Sequence, residues 1–104
     1  METENQLIVI IANRGYTETV MEVAKKAGAG GGTVVHARGT GSEKAEKFFG
    51  TVIGAEKEMI FIVTKSEKSK QIIQAIKDNV GANTPSDAVA FSLPVNDVAG
   101  LITT

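Results

Sequence analysis

The chain contains no cysteine, which excludes disulfide staples and thiolate metal sites and fits a reducing compartment. It has one histidine, His36, and no spacing of carboxylates around it that would complete a metal site, so none is expected. It lacks an excess of either charge: eleven basic residues face twelve acidic ones, for a net charge of -1. No global field therefore draws it to nucleic acid or to an anionic membrane, and any anion site has to be local. Long apolar runs are missing too. Leu7 to Ala12 is six residues, against roughly 20 for a helix that spans a bilayer. The first six residues are polar and acidic, without a basic segment leading into an apolar one, so no secretion signal is read and a cytoplasmic location is expected.

What is present is a globular composition, 42% hydrophobic and 22% charged over 104 residues, enough for one domain spanning 1–104. Leu7-Ile8-Val9-Ile10-Ile11 is a β-branched run, short enough to be a strand buried on both faces. Thr17 is placed to cap a helix whose apolar residues Val20, Val23, Ala24 and Ala27 share one face, and Gly28 offers its stop. Thr33 to Arg38 reads as a second strand. The pattern then repeats. Met59 to Val63 is a second continuous run, Ser66 a cap, Ile72, Ile73, Ile76 and Val80 a helical stripe ending at Gly81, and Ala88 to Val95 a last strand whose Pro94 suits an edge.

Two strand–helix–strand units predict a ferredoxin-like α+β sandwich: one four-stranded antiparallel sheet with both helices on one face, the continuous runs central and the weaker strands at the edges. Two helices cover only one face of such a sheet. Yet Leu7, Val9 and Ile11 point away from Ile8 and Ile10, so the other face is apolar as well, and a further subunit is its expected cover. The connection from about 39 to 58 is long for neighbouring strands, which favours a functional loop. Ser42 to Phe49 has a composition compatible with a short helix.

Candidate site residues cluster around glycines. Gly30-Gly31-Gly32-Thr33 precedes the second strand and Arg38-Gly39-Thr40-Gly41 follows it. Both segments read either as turns or as anion-binding backbone supplemented by Arg38 and the threonine hydroxyls. Phe48-Phe49 reads equally as a partner contact or as a pin for the loop, and the Glu43-Lys44-Glu46-Lys47 run as a solvated face. Thr84-Pro85-Ser86-Asp87 reads as a turn. With no cysteine, no second histidine and no marked carboxylate pair, the chain offers no nucleophile–base couple, and an enzyme is not expected.

The order of elements, the stretch from Ala27 to Gly41 and the long loop after it together resemble the PII signal-transduction family. Thr33, Arg38, Gly39 and Gly41 match the threonine, basic residue and Gly-x-Gly found there. The resemblance implies a ferredoxin-like homotrimer. It would bind a small effector, an adenine nucleotide such as ATP, ADP or AMP or another anion, in clefts between subunits. Thr33, Arg38, Gly39, Thr40 and Gly41 would meet Ser86, Asp87 and Ala88 of a neighbour. Through Ser42, Glu43, Lys44, Phe48 and Phe49 of the loop it would regulate an enzyme or membrane transporter. No nucleic-acid partner and no fixed cofactor are implied.

Departures from the family pattern are specific. Ser42 and Glu43 replace the basic residue and glutamine of the nitrogen-sensing members, so 2-oxoglutarate sensing is not expected, and Tyr16, the only tyrosine, lies far from the loop. Of the second phosphate loop only Asp87 is kept; Val89 replaces its lysine, and Gly100 and Ile102 replace the C-terminal arginines. Losing several charge-assisted contacts of about 1.5–3 kcal/mol each predicts a divergent ligand or weak triphosphate binding. The alternatives are a ligand-free protein-binding oligomer and, further off, an acylphosphatase-type enzyme using Asn13 and Arg14.

Overall fold

The computed structural model describes residues 4–40 and 55–101. Its elements run β1 (Asn5–Asn13), α1 (Thr17–Lys26), β2 (Thr33–Gly39), β3 (Ala55–Lys65), α2 (Ser66–Val80) and β4 (Val89–Val95). The sheet order is β2-β3-β1-β4 with every pairing antiparallel, the ferredoxin-like arrangement with β1 and β3 central. The two continuous apolar runs occupy the centre, where a strand is paired on both edges and flanked by neighbours on each side.

Strand alternation divides the residues between the faces. Ile8, Ile10 and Ala12 of β1 and Ile60 and Ile62 of β3 point to the helices, where they enclose a core with Val20 and Ala24 of α1 and Ile72, Ile76 and Val80 of α2. Seven of the largest side chains there are fully buried, each contributing about 1.5–3 kcal/mol. The opposite face carries a cross-strand row in which Val9 is directly opposite Phe61 on one side and Phe91 on the other. Val9 is buried by these neighbours, but Val35, Val89, Phe91 and Leu93 remain 44–59% exposed. Nothing among the described residues covers that face.

Local stops are built as the glycines suggested. Ala29 N–H donates to Ala24 O and Gly28 N–H to Lys25 O, the paired bonds of a Schellman ending, with Gly28 at φ +118°. Gly32 enters β2 so close to β3 that a Cβ would lie 3.1 Å from Ile60 and 3.2 Å from Ile62.

Strand ends shift by up to four residues from the sequence reading, and three differences bear on the site. β3 starts at Ala55, so 55–58 belong to the sheet and the connection is shorter than 39–58: Glu56, Lys57 and Glu58 pair with Arg38, Ala37 and His36, giving charged residues strand partners. Thr17 is the first helical residue and Tyr16 holds the cap position; the Thr17 hydroxyl turns instead to Glu58. Ser66 likewise opens α2 after Lys65, and no side chain caps that end. The helix read over Ser42 to Phe49 lies outside the described residues.

Candidate functional site

Antiparallel order brings the end of β1, the end of β2 and the starts of β3 and β4 to one end of the sheet. A polar network knits them. Asn13 N–H donates to Ser86 O at 2.9 Å and Asn13 Nδ2 to Pro85 O at 2.9 Å. Lys57 Nζ donates to Asn13 Oδ1 at 2.6 Å. The turn before β4 is thereby fixed to the two central strands.

That turn is tightly wound. Thr84 Oγ1 donates to Gly81 O at 2.7 Å, Asp87 N–H donates to Thr84 O at 3.1 Å, and Asn83 and Asp87 take positive φ of 68° and 44°. Asn and Asp tolerate such conformations better than other non-glycine residues. Of its candidate residues, Asp87 is exposed, whereas Ser86 and Ala88 are buried. The Ala88 N–H donates to Val80 O at 2.9 Å and so is occupied within the subunit.

Arg38 ends β2 on the helix-facing side, 3.5 Å from Glu56, while Arg14 approaches the other oxygen of the same carboxylate at 3.9 Å. All three side chains are about half exposed or more, so the pairs are weak and readily exchanged. Beneath them Glu58 is almost buried. Its Oε1 accepts from Gly15 N–H and from the Thr17 hydroxyl, each at 2.9 Å, and His36 Nδ1 lies 3.7 Å from Oε2. The Gly15 bond, then the Thr17 bond, hold its carboxyl below the usual range; burial opposes them, and the charges of His36 and Arg14 act in their favour.

Sequence reasoning missed Glu58, Lys57 and Asn13 as organisers of this end. The period-two pattern of Ile60 and Ile62 extends back through Glu58 to Glu56, and that was the available signal.

Thr33 stands at the opposite end of β2 from Arg38, about 16 Å along the strand and on the other face of the sheet. It is exposed, and with Gly30, Gly31, Gly32, Phe61, Val63 and Leu101 it lines an open groove. Arg38 and Asp87 share an end of the sheet but flank opposite edges, three strand spacings or about 14 Å apart. One subunit thus brings Arg38, Gly39 and Thr40 together, holds Ser86, Asp87 and Ala88 across the sheet from them, and keeps Thr33 remote from both. Gly41 and the loop residues Ser42, Glu43, Lys44, Phe48 and Phe49 lie outside the described residues. No helix among the described residues is long and apolar enough to cross a membrane.

The architecture is that of a ferredoxin-like PII scaffold. The model of the nitrogen regulatory protein P-II family matches residues 5–104, and the chain belongs to that family. Among solved structures it is similar to Bacillus subtilis GlnK in an ATP complex, at 18% identity over 89% of this chain and 84% of that one, with a TM-score of 0.67. Arabidopsis thaliana PII bound to citrate is 23% identical over 93% and 80% of the two chains, with a TM-score of 0.65. A PII-like signalling protein from Thermus thermophilus is 22% identical over 91% of both, at 0.67. At these identities the likeness establishes the fold. No curated protein sequence matches the chain.

Proposed function

We propose that this chain is a non-enzymatic, cytoplasmic PII-like regulator that binds a small anionic effector, foremost an adenine nucleotide, between the subunits of a homotrimer and signals through the connection after Gly39. The observation that carries the reading is the separation of the candidate residues. Thr33 with its groove, Arg38 with Gly39 and Thr40, and the Ser86–Ala88 turn cannot meet one ligand within a single chain. They can do so when the exposed face bearing Val35, Val89, Phe91 and Leu93 packs against neighbours.

Support for the ligand class is chemical. Arg38 is exposed and only loosely held by Glu56, and the groove beside Thr33 has the apolar flank of Phe61 and Val63 that a flat ring requires. The related proteins whose structures hold ATP and citrate have anionic ligands. Effector occupancy would alter a partner's binding only by favouring one arrangement of the connection over another.

Calorimetry with ATP, ADP, AMP, cyclic nucleotides, bicarbonate and 2-oxoglutarate tests this reading. Saturable heat with an adenine nucleotide, reduced in Arg38→Gln, is expected. No heat with any of them at millimolar concentration would leave the ligand-free oligomer instead, the reading favoured by Val89 and Gly100 at positions where the family carries phosphate-binding cations.

A further inference from the structure

At the other end of the sheet from Arg38, the close of β3 opens into a cavity of about 210 Å³ between the end of α1 and the start of α2. Three lysines from three different elements line it: Lys25 from the last turn of α1, Lys65 at the end of β3 and Lys68 from the first turn of α2. Lys65 is held by Glu4 at 2.7 Å and also feels Glu67. Lys25 and Lys68 have no carboxylate partner among the described residues.

The backbone keeps Lys68 in place. Gln71 Nε2 donates to Ala27 O at 2.7 Å, tying α2 to the turn that ends α1. Gly28, at φ +118°, lies so close beneath α2 that a Cβ would come within 3.1 Å of Gln71 Nε2 and 3.5 Å of the Lys68 Cδ. The lysine stem is therefore laid over a glycine turn whose backbone, from Gly28 to Gly30, forms the cavity wall with no large side chain in the way. Two lysines without a carboxylate partner line one concavity, so a multivalent anion there would meet positive charge from two elements at once.

We propose that this cavity is an anion site, distinct from the Arg38 end, that takes a compact oxyanion of the phosphate class between Lys25 and Lys68. The cavity shares Gly30, Val63 and Leu101 with the groove beside Thr33, so the oxyanion is either free phosphate or a phosphate carried on a molecule lying in that groove. The site borders the proposed effector cleft through those three residues, but none of its three lysines is among the residues assigned to that cleft.

The test follows backbone amides by NMR in the full chain while inorganic phosphate, and in a second arm ATP, is added at constant ionic strength. Saturable shifts at Gly28, Ala29 and Gly30 are expected. Each of Lys25→Gln and Lys68→Gln should weaken the response about tenfold, and Arg38→Gln should leave the response to inorganic phosphate intact. Saturation with phosphate alone identifies a free-phosphate site; Lys68-dependent saturation with ATP alone identifies a phosphate carried on a larger ligand. The inference is overturned if neither probe saturates these amides, or if saturation persists in the Lys25→Gln/Lys68→Gln variant. ATP binding that is lost in Arg38→Gln but unchanged in that double variant overturns this inference while leaving the proposed function standing.

Discussion

Arg38 and Glu56 are directly opposite in the β2–β3 register and their side chains meet, Nη2 to Oε1, at 3.5 Å. The same carboxylate answers Arg14, so an effector anion reaching Arg38 as proposed would compete with an internal anion. Glu56→Gln is expected to raise affinity for ATP by between about 1.4-fold and fivefold, since an exposed pair of this kind is worth about 0.2–1 kcal/mol. Binding of uncharged adenosine should not change. Titration calorimetry with the two ligands checks the contrast, and equal gains for both would dismiss Glu56 as a competitor.

Glu58 gives the fold an acid-sensitive contact. Its folded-state carboxyl titrates below its unfolded value because Gly15 N–H and Thr17 Oγ1 bond the ionised form. That stabilisation is therefore present above the unfolded pKa of about 4.3 and disappears as pH falls through the lower folded value. Urea unfolding of Glu58→Gln should show lower stability at pH 7 and a flatter loss between about pH 5 and 3 than the parent. An unaltered acid limb would mean that Glu58 contributes nothing to it.

The two sheet faces answer differently to substitution. Ile62, fully buried against the helices, should cost about 2–5 kcal/mol on truncation to Ala, read in the urea midpoint. Phe91, 44% exposed in the single chain, should tolerate Phe91→Asp with its circular dichroism retained while the sedimentation mass falls to that of a monomer. A Phe91→Asp protein with unchanged mass would remove this face from the assembly.

Gly28→Ala places a Cβ at φ +118° and against Gln71, and is expected to destabilise by about 1–2 kcal/mol. Thermal unfolding alongside Gly31→Ala, where nothing lies within 4 Å of the added carbon, separates this local demand from the general effect of replacing glycine.

Sheet order was legible from the doubled strand–helix–strand unit, the central place of β1 and β3 from their continuous apolar runs, and the outward row of β4 from the alternation of Val89, Phe91 and Leu93 with Ala90 and Ser92. The charged start of β3 was not: Glu56, Lys57 and Glu58 look like loop in isolation, and they become strand only because β2 supplies partners for them. Nor could sequence show that Asn13 reaches Pro85, 72 residues away, or that the Thr17 hydroxyl would donate to Glu58 instead of accepting from an N–H of the first helical turn. Local patterns encode periodicity, whereas these contacts depend on which strand ends the topology gathers. The glycine turn before Thr33 stood out in the sequence as a candidate, but its distance from Arg38 only emerges once both sit at opposite ends of one strand.

The claim that matters most is that the effector cleft is shared between subunits. Arg38→Glu and Gly31→Glu alter opposite ends of the subunit, and Gly31 has open space around it, so both variants should fold. Each alone should fail to bind ATP. When the two are unfolded, mixed in equal amounts and reassembled, about a quarter of the clefts should combine two intact halves and recover binding, measured by calorimetry. A mixture that binds no more ATP than its separate components would contradict the shared cleft.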